Sequence, residues 1–203
     1  MDAGDVIMRI ALSGAQGTGK TTLINELKNG SFLPHYTFYD EVVRNLVKRT
    51  GISINRKADD YSQTAITNEQ VRLASETTFN TPNAFFDRCI VDSHAFTIFD
   101  YVREQISKKV YMYSSEMLKM VFTYFPYDMV IYIPPKIQLV EDGVRDTDVQ
   151  YRNRIDKLMT NVLNYNSIKS SSTKIYTLTE ISVQGRIKEI LNNMEEVNEI
   201  KSS

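Results

Sequence analysis

The sequence has little cysteine and almost no net charge, and each shortage excludes a class of protein. The chain of 203 residues contains one cysteine, Cys89, so an internal disulfide framework is excluded. A formal net charge of -1 gives no bulk electrostatic signal for a nucleic-acid binder, although a basic groove can be hidden inside a balanced total. No apolar run is long enough to span a membrane, and no signal-peptide pattern is present. We therefore expect a cytoplasmic protein with no membrane partner.

What the sequence does contain is the composition of an ordinary globular protein. Hydrophobic residues make up 42% and charged residues 24%, which supplies enough apolar material for a buried core. The length predicts one domain over residues 1–203. Cys89 lies in an apolar run, which predicts a buried structural thiol rather than a reactive one.

One eight-residue stretch, Gly14 to Thr21, matches the phosphate-binding pattern G-x-x-x-x-G-K-[ST] without a mismatch. An apolar run over residues 6–13 precedes it and predicts a buried strand. Residues 21–29 follow it with apolar side chains on one helical face, which predicts a helix. Strand, glycine-rich turn and helix in this order are the setting that the motif requires.

The residue types in this loop explain how it binds phosphate. The glycines let successive backbone N–H groups point into one concavity, and the following helix directs its positive N-terminal end to the same place. Lys20 adds a point charge on the outer phosphates, and the Thr21 hydroxyl suits a magnesium ion that bridges them. We therefore predict a nucleoside triphosphate site that comprises Gly14, Ala15, Gln16, Gly17, Thr18, Gly19, Lys20, Thr21 and Thr22.

A second candidate corner follows the aromatic strand that is predicted over residues 36–39. A helix is expected to begin directly after it, and Glu41 and Arg44 lie three residues apart on the same helix face. The carboxyl edge of an open α/β sheet is where ligands bind, so this pair is a candidate acceptor site. A capped helix with a surface ion pair is the alternative.

The third candidate is an acidic residue near the end of a short apolar run. Residues 89–93 predict the third strand, and Asp92 lies at its carboxyl end. A carboxylate in that place orders the water shell of a metal ion or accepts the proton of an acceptor. Asp87 and Arg88 precede the run, so we expect them at the far end of the strand in a structural role. His94 follows it, and we expect no ligand role for that histidine.

The last candidate is the charged, glycine-containing stretch over residues 141–148, which continues into a helix predicted over residues 149–164. Arg145 and Arg152 suit a lid over residues 141–154 that closes on a triphosphate and neutralises the transferring phosphoryl group. A solvated charged turn is the alternative. Residues 51–80, a polar loop and a long helix, are expected to form either a mobile segment on the acceptor side or a solvated amphipathic helix.

These stretches together resemble a known group of kinases. The runs GAQGTGKTT, YDEVVR, CIVDS and YIPP, followed by EDGVRDTD, are similar to the small P-loop kinases related to the ribosylnicotinamide-kinase domain of the bacterial NAD regulator. Phage-encoded nucleotide kinases resemble this group too, and thymidylate kinase does so more distantly. Thymidylate kinases carry an Asp-Arg-Tyr run at the strand end, where the predicted strand of this chain ends in Asp92-Ser93-His94. That departure argues against thymidylate as the acceptor.

The resemblance implies ATP and magnesium (Mg2+) at residues 14–22. It implies that the segment from Glu41 to Arg44 walls the acceptor site, that Asp92 lies near the acceptor hydroxyl, and that Arg145 is the arginine of the lid. Taken with the reading of the residues themselves, the expected catalytic and acceptor-binding residues are Lys20, Glu41, Arg44, Asp92, Arg145 and Arg152, with Thr21 and Asp92 on the metal.

The alternation of strands and helices predicts a three-layer α/β/α sandwich of the P-loop kinase type, with a five-stranded, mainly parallel sheet and a short lid. The expected function is transfer of the γ-phosphoryl group of ATP to a nucleoside or nucleotide. One alternative is a kinase that acts on a hydroxymethylated pyrimidine base within DNA, for which Arg44, Arg49, Arg56 and Lys57 would begin a basic groove. The other is a nucleotide-dependent switch or ATPase without a small acceptor.

Overall fold

Five short strands form one sheet in which every neighbouring pair is parallel. The computed structural model describes residues 7–40, 42–81, 83–136 and 148–202. The strands are β1 (Arg9–Ser13), β2 (Thr37–Tyr39), β3 (Ala84–Asp87), β4 (Met129–Tyr132) and β5 (Lys174–Thr177), in the spatial order β2-β3-β1-β4-β5. Parallel neighbours need crossover connections, and each connection here contains at least one helix. The predicted five-stranded sheet is confirmed.

The helices within the described ranges are eight α-helices and one short 3₁₀ turn, Asn55–Lys57. They are α1 (Lys20–Asn29), α2 (Val42–Thr50), α3 (Asp60–Asn80), α4 (Ile90–Val102), α5 (Lys108–Tyr124), α6 (Val149–Leu163), α7 (Asn166–Lys169) and α8 (Val183–Ser202). None of these helices is long and apolar enough to cross a membrane. Residues 51–80 thus contain the 3₁₀ turn and all of α3, a helix of 21 residues that packs on α4 and α5.

Apolar side chains alternate along the strands between two cores. In β1, Ile10 and Leu12 belong to the core that α1 and α8 cover. Ala11, between them, belongs to the core that α4, α5 and α6 cover on the opposite face of the sheet. The helices therefore lie on both faces of one sheet, and the predicted three-layer α/β/α sandwich is confirmed.

Arg9 carries a buried positive charge at the start of β1. Its guanidinium donates to the carbonyl oxygens of Phe125, Pro126 and Ala74 at 3.1, 2.7 and 2.7 Å. Two of these oxygens follow the end of α5, and the third lies in α3. Arg9 thus ties α3 and the end of α5 to the central strand.

The third strand differs from the sequence-based expectation. The strand is Ala84–Asp87, whereas residues 89–93 form the N-terminal turn of α4, so the prediction of a strand there is wrong. Arg88 makes the turn between the two elements, with a φ of 74° in the left-handed region. Cys89 is the N-cap of α4, and burial raises the pKa of its thiol well above the usual value. The strand-end carboxylate is therefore Asp87, and Asp92 lies in the first turn of a helix.

Candidate functional site

The loop between β1 and α1 leads into a helix N-terminus that no side chain caps. Gly19 is the N-cap of α1 with a φ of 86°, a left-handed conformation that glycine adopts without strain. No acidic residue occupies the first turn of α1. The first N–H groups of a helix have no partner within the helix, so this end of α1 suits an anion.

Gly14 begins the loop where there is no room for a side chain. A Cβ atom there would lie 2.7 Å from the carbonyl oxygen of Ile133, the residue after β4. The N–H of Gly14 donates to Oδ1 of Asp92 at 3.3 Å. The start of the loop is thereby held between β4 and α4.

The ammonium group of Lys20 lies against the loop and donates hydrogen bonds to three oxygens of the loop. It donates to the carbonyl oxygens of Gly14 and Ala15, both at 2.7 Å, and to Oγ1 of Thr18 at 3.1 Å. Lys20 is buried, so water screens its charge less than at the surface. This arrangement favours phosphate oxygens in the adjacent concavity.

Arg186, from α8, holds the other side of the loop. Its guanidinium donates to the carbonyl oxygen of Thr18 at 2.7 Å and to that of Glu180 at 3.0 Å, and the side chain is buried. In a trans peptide the C=O and the following N–H point in opposite directions, and the described residues contain no cis peptide. Arg186 therefore directs the N–H of Gly19 away from α8.

Asp92 uses both carboxylate oxygens within the protein. Oδ1 accepts from the N–H of Gly14 and from Nη1 of Arg88, at 3.3 and 2.9 Å, and Oδ2 accepts from the N–H of Cys89 at 3.2 Å. Arg88 also donates to the carbonyl oxygen of Gly14 at 3.2 Å. Asp92 is almost fully buried and joins the loop to Arg88. In this arrangement Asp92 positions the loop and Arg88, and its predicted roles toward a metal ion and the acceptor stay predictions.

Asp87 occupies the place that the sequence analysis gave to Asp92. Its Oδ1 is buried without a hydrogen-bond partner in the described part of the chain, and the residue lines the cavity beside the loop. The expectation that Asp87 and Arg88 lie at the far end of a strand is wrong, because both line that cavity. The strand end reads Asp87-Arg88-Cys89, which shares two of three residues with the Asp-Arg-Tyr run, so the departure assigned to residues 92–94 does not lie at a strand end.

A cavity of about 240 Å³ opens beside the loop. Its walls come from segments that are far apart in the sequence: the loop, α2, α3, the β3–α4 corner and α6. Apolar side chains form part of the wall, and charged, hydroxyl and amide groups together with the loop backbone form the rest. The lining includes Val43, Arg44, Ile66, Gln70, Phe96 and Tyr151.

Two glutamines of α3 line this cavity, and they differ in their hydrogen bonds. Gln63 is fixed, since its Nε2 donates to Oδ2 of Asp100 at 2.6 Å and its Oε1 accepts from Oγ1 of Thr97 at 3.2 Å. Gln70 is 3% exposed, and its amide has no hydrogen bond to the described residues. A buried amide that has no partner among the described residues is available to both the donor and the acceptor groups of a ligand.

The structure brings most of the predicted site residues together. Gln16, Gly17, Thr18, Gly19, Lys20, Thr21, Thr22, Arg44 and Asp92 line the cavity, and Gly14 and Ala15 are not part of its lining. Arg152 is buried in α6 outside the lining. His94 is also outside it, with Nδ1 2.9 Å from Oγ of Ser114. Glu41 and Arg145 lie outside the described residues, so their roles stay predictions.

Several residues of this site were not predicted from the sequence. Gln63 and Gln70 could have been predicted to lie on the same side of α3, because residues seven apart on a helix share a face. Asp87 and Arg88 also had a signal in the sequence, since they end the apolar run at residues 84–86. Asp156, in α6 outside the cavity lining, had none: burial raises the pKa of its carboxyl, while the Tyr132 hydroxyl, Arg152 and Lys20 act in the opposite direction. Arg186 also had none, because it reaches the loop from 168 residues away.

The residues at this end of the sheet fit a magnesium ion that is bound together with phosphates. The described residues contain no cluster of three or more His, Cys, Asp or Glu that would hold a metal ion by itself. Thr21 and Asp87 both line the cavity, and the buried Oδ1 of Asp87 has no protein partner there. Hydroxyl and carboxylate oxygens are ligands that Mg2+ prefers, with phosphates and water completing the shell. Asp92, the other predicted ligand, has both oxygens engaged.

The parallel sheet and the glycine-rich loop that leads into α1 define an α/β protein of the P-loop class. The model of a family described as AAA domain matches residues 9–174. The chain belongs to this family. A search of curated proteins finds no match.

Several solved structures share the fold. A deoxyadenosine kinase from M. mycoides with dCMP and a flexible dCDP bound has a TM-score of 0.60 and 16% identity, over 93% of this chain and 100% of that one. NadR protein in complex with NR has a TM-score of 0.68 and 14% identity, over 94% of this chain and 51% of NadR. Thymidylate kinase from Candida albicans has a TM-score of 0.59 and 12% identity, over 93% of this chain and 91% of that one.

Proposed function

We propose that this protein is a kinase that transfers the γ-phosphoryl group of ATP to a nucleoside or nucleotide. The observation that carries the proposal is the cavity of about 240 Å³ beside the phosphate loop. A triphosphate on the loop directs its outer phosphate toward the site of an acceptor, and hydrolysis alone does not require a chamber of this size. The names of two proteins with the same fold, deoxyadenosine kinase and thymidylate kinase, agree with this substrate class.

The donor side consists of the loop and the start of α1. The N–H groups of the loop and Lys20 hold the outer phosphates, and Arg186 fixes the peptide that presents the N–H of Gly19. Thr21 and Asp87 are the residues that would hold Mg2+, which would offset the charge of the phosphates.

The acceptor side consists of α2, α3 and the first turns of α4. Ile66 and Phe96 supply apolar contact area for a base, and the amide of Gln70 supplies one donor and one acceptor for its polar edge. Arg44 and Arg88 line the same cavity with positive charge. This combination of an apolar wall with a few polar groups fits a nucleoside or nucleotide.

The transfer needs positioning and charge more than covalent help. An acceptor oxygen attacks the γ-phosphorus while the bond from that phosphorus to the β–γ bridging oxygen breaks, and ADP leaves. The acceptor proton passes to a carboxylate, and Asp92 and Glu41 are the two residues predicted for this role. Arg88, together with the predicted lid arginine Arg145, offsets the charge on the moving group.

Two alternatives make different demands on the same site. A kinase of a base within DNA needs an open basic groove, but Arg56 lies 2.6 Å from Asp148 and Arg49 lies 3.9 Å from Glu69. The second alternative, an ATPase without a small acceptor, requires the phosphate loop but not the acceptor side of the cavity. A single domain over residues 1–203 and a cytoplasmic location stay predictions.

Replacing Lys20 tests the donor half of the proposal. We expect Lys20→Ala to lower the rate of phosphoryl transfer by at least about a hundredfold, because the buried charge beside the phosphates is lost. Lys28→Ala is the matched control at the other end of α1, where the lysine pairs with Asp40 at 2.7 Å. The control should keep the wild-type rate within about twofold, since exposed pairs contribute little. A Lys20→Ala protein that folds and keeps near wild-type turnover would contradict the proposal.

A further inference from the structure

A second cavity, also of about 240 Å³, lies beside the first. Tyr151 lines both cavities. The second is bounded by the 3₁₀ turn, the C-terminal end of α4 and the N-terminal half of α6. Its lining includes three arginines, Arg56, Arg103 and Arg154, which the proposed phosphoryl transfer does not use.

Two of these guanidinium groups are held by aromatic rings. The Arg56 guanidinium carbon lies 4.8 Å from the centre of the Tyr151 ring, and that of Arg103 lies 5.2 Å from the centre of the Phe99 ring. The two rings contact each other edge to face, with centres 4.9 Å apart. A guanidinium that stacks on a ring can still donate in its own plane to an anion, and it loses less conformational entropy when it binds one. The rings therefore orient both arginines before any ligand arrives.

The charge in this cavity favours an anion. Three guanidinium groups face one carboxylate, that of Asp148, which accepts from Arg56 at 2.6 Å. Among the described residues, no carboxylate forms an ion pair with Arg103 or Arg154, while the more distant carboxyl of Asp100 interacts electrostatically with Arg103. Planar guanidinium groups match the oxygens of a phosphate in pairs, so a phosphate group is the anion that this arrangement fits best.

We propose that this second cavity, the arginine cavity, binds a phosphate group that belongs to the acceptor. The proposal rests on the proposed function and narrows the class of acceptor. Because Tyr151 lines both cavities, an acceptor beside the phosphate loop can extend past this ring and place a phosphate among the three arginines. The preferred acceptor is then a phosphate-bearing one, either a nucleotide or a nucleic-acid strand, rather than an unphosphorylated nucleoside.

The test compares two pairs of substitutions that remove the same charge. Arg103→Gln with Arg154→Gln empties the arginine cavity of two cations, and Lys108→Gln with Lys109→Gln removes two exposed cations of α5 that line neither cavity. Each protein is assayed with one deoxynucleoside, its 5′-monophosphate and a short single-stranded oligodeoxynucleotide. We expect the arginine pair to lower kcat/KM for a phosphate-bearing acceptor by at least about tenfold. It should leave the deoxynucleoside within about twofold, and the lysine pair should leave all three acceptors within that range.

The pattern of losses identifies the source of the phosphate. A loss with the monophosphate indicates a nucleotide acceptor, whereas a loss confined to the oligodeoxynucleotide indicates a nucleic-acid strand. Equal losses with all three acceptors, or no loss beyond that of the lysine pair, overturn the proposal. If no acceptor is phosphorylated at all, equilibrium binding of the fluorescein-labelled monophosphate and oligodeoxynucleotide to the same proteins tests whether the arginine cavity binds a phosphate. Weaker binding to the arginine pair supports the arginine cavity while the proposed function fails, and unchanged binding overturns both.

Discussion

Arg186 is a buried side chain that holds the phosphate loop in place, although the two are far apart in the sequence. Its guanidinium is 2% exposed and has no carboxylate partner within ion-pairing distance in the described chain, so its charge is held by the carbonyl oxygens of Thr18 and Glu180. Burial lowers the pKa of this guanidinium, with Glu189 acting in the opposite direction. A buried cation held in this way fixes a peptide, because each carbonyl it contacts would otherwise lack a donor.

We predict that Arg186→Met raises the KM for ATP by about tenfold, since the peptide that presents the N–H of Gly19 loses its restraint. The maximal rate should fall by less than about threefold, because Lys20 and the remaining amides stay in place. Steady-state kinetics at varied ATP concentration measure both quantities.

The matched control for Arg186 is Arg9→Met. Arg9 is likewise buried and also donates to carbonyl oxygens, but it lies at the opposite end of β1 from the loop. Its loss should lower the melting temperature without changing the KM for ATP. An equal rise in KM for both variants would show that Arg186 stabilises the fold and does not position the loop specifically.

At the scale of elements, one corner explains where sequence reasoning fails. The sequence contains two short apolar runs, residues 84–86 and 89–91, which are separated by Asp87 and Arg88. Neither run is long enough for its periodicity to distinguish a strand from a buried helix. Helix α4 also begins at a cysteine N-cap, which is not among the residues that typically signal a helix start. The other strands were predictable because glycine, proline or polar residues mark their ends.

The contact between α3 and α4 gives a prediction for pH dependence. Asp100 of α4 accepts from Nε2 of Gln63 of α3 at 2.6 Å, and burial raises the pKa of Asp100 from 3.8 to about 6. A raised carboxyl pKa means that the folded state binds a proton more tightly than the unfolded state does. This contribution to stability is present below about pH 4 and is lost as the pH rises through about 6.

We predict that the free energy of unfolding of the wild type, minus that of Asp100→Asn, falls by about 2 kcal/mol between pH 4 and pH 7. His94, whose pKa burial lowers to about 4, acts in the opposite direction, but it is present in both proteins and cancels. Urea unfolding at a series of pH values measures the difference. A difference that stays flat or rises with pH would show that Asp100 is ionised in the folded protein at acidic pH.

At the scale of the whole molecule, the donor half of the site was predictable and the acceptor half was not. Eight consecutive residues between a strand and a helix specify the phosphate loop, so the motif alone identifies it. The cavity beside it is made by α2, α3, α4 and α6, which meet only because the sheet order β2-β3-β1-β4-β5 brings their ends to one edge. Gln70 and Tyr151 belong to it for that reason, and spacing within the sequence does not reveal their proximity.

The central claim is that the two halves act together in phosphoryl transfer. The measurement that tests it most directly is incubation of the protein with Mg2+ and ATP labelled at the γ-phosphate, in the presence of nucleosides, nucleotides and base-modified duplex DNA. We predict that label appears on a nucleoside or nucleotide, and that Lys20→Ala abolishes this transfer. Label found solely as inorganic phosphate, with every acceptor unlabelled, would contradict the claim and favour an ATPase.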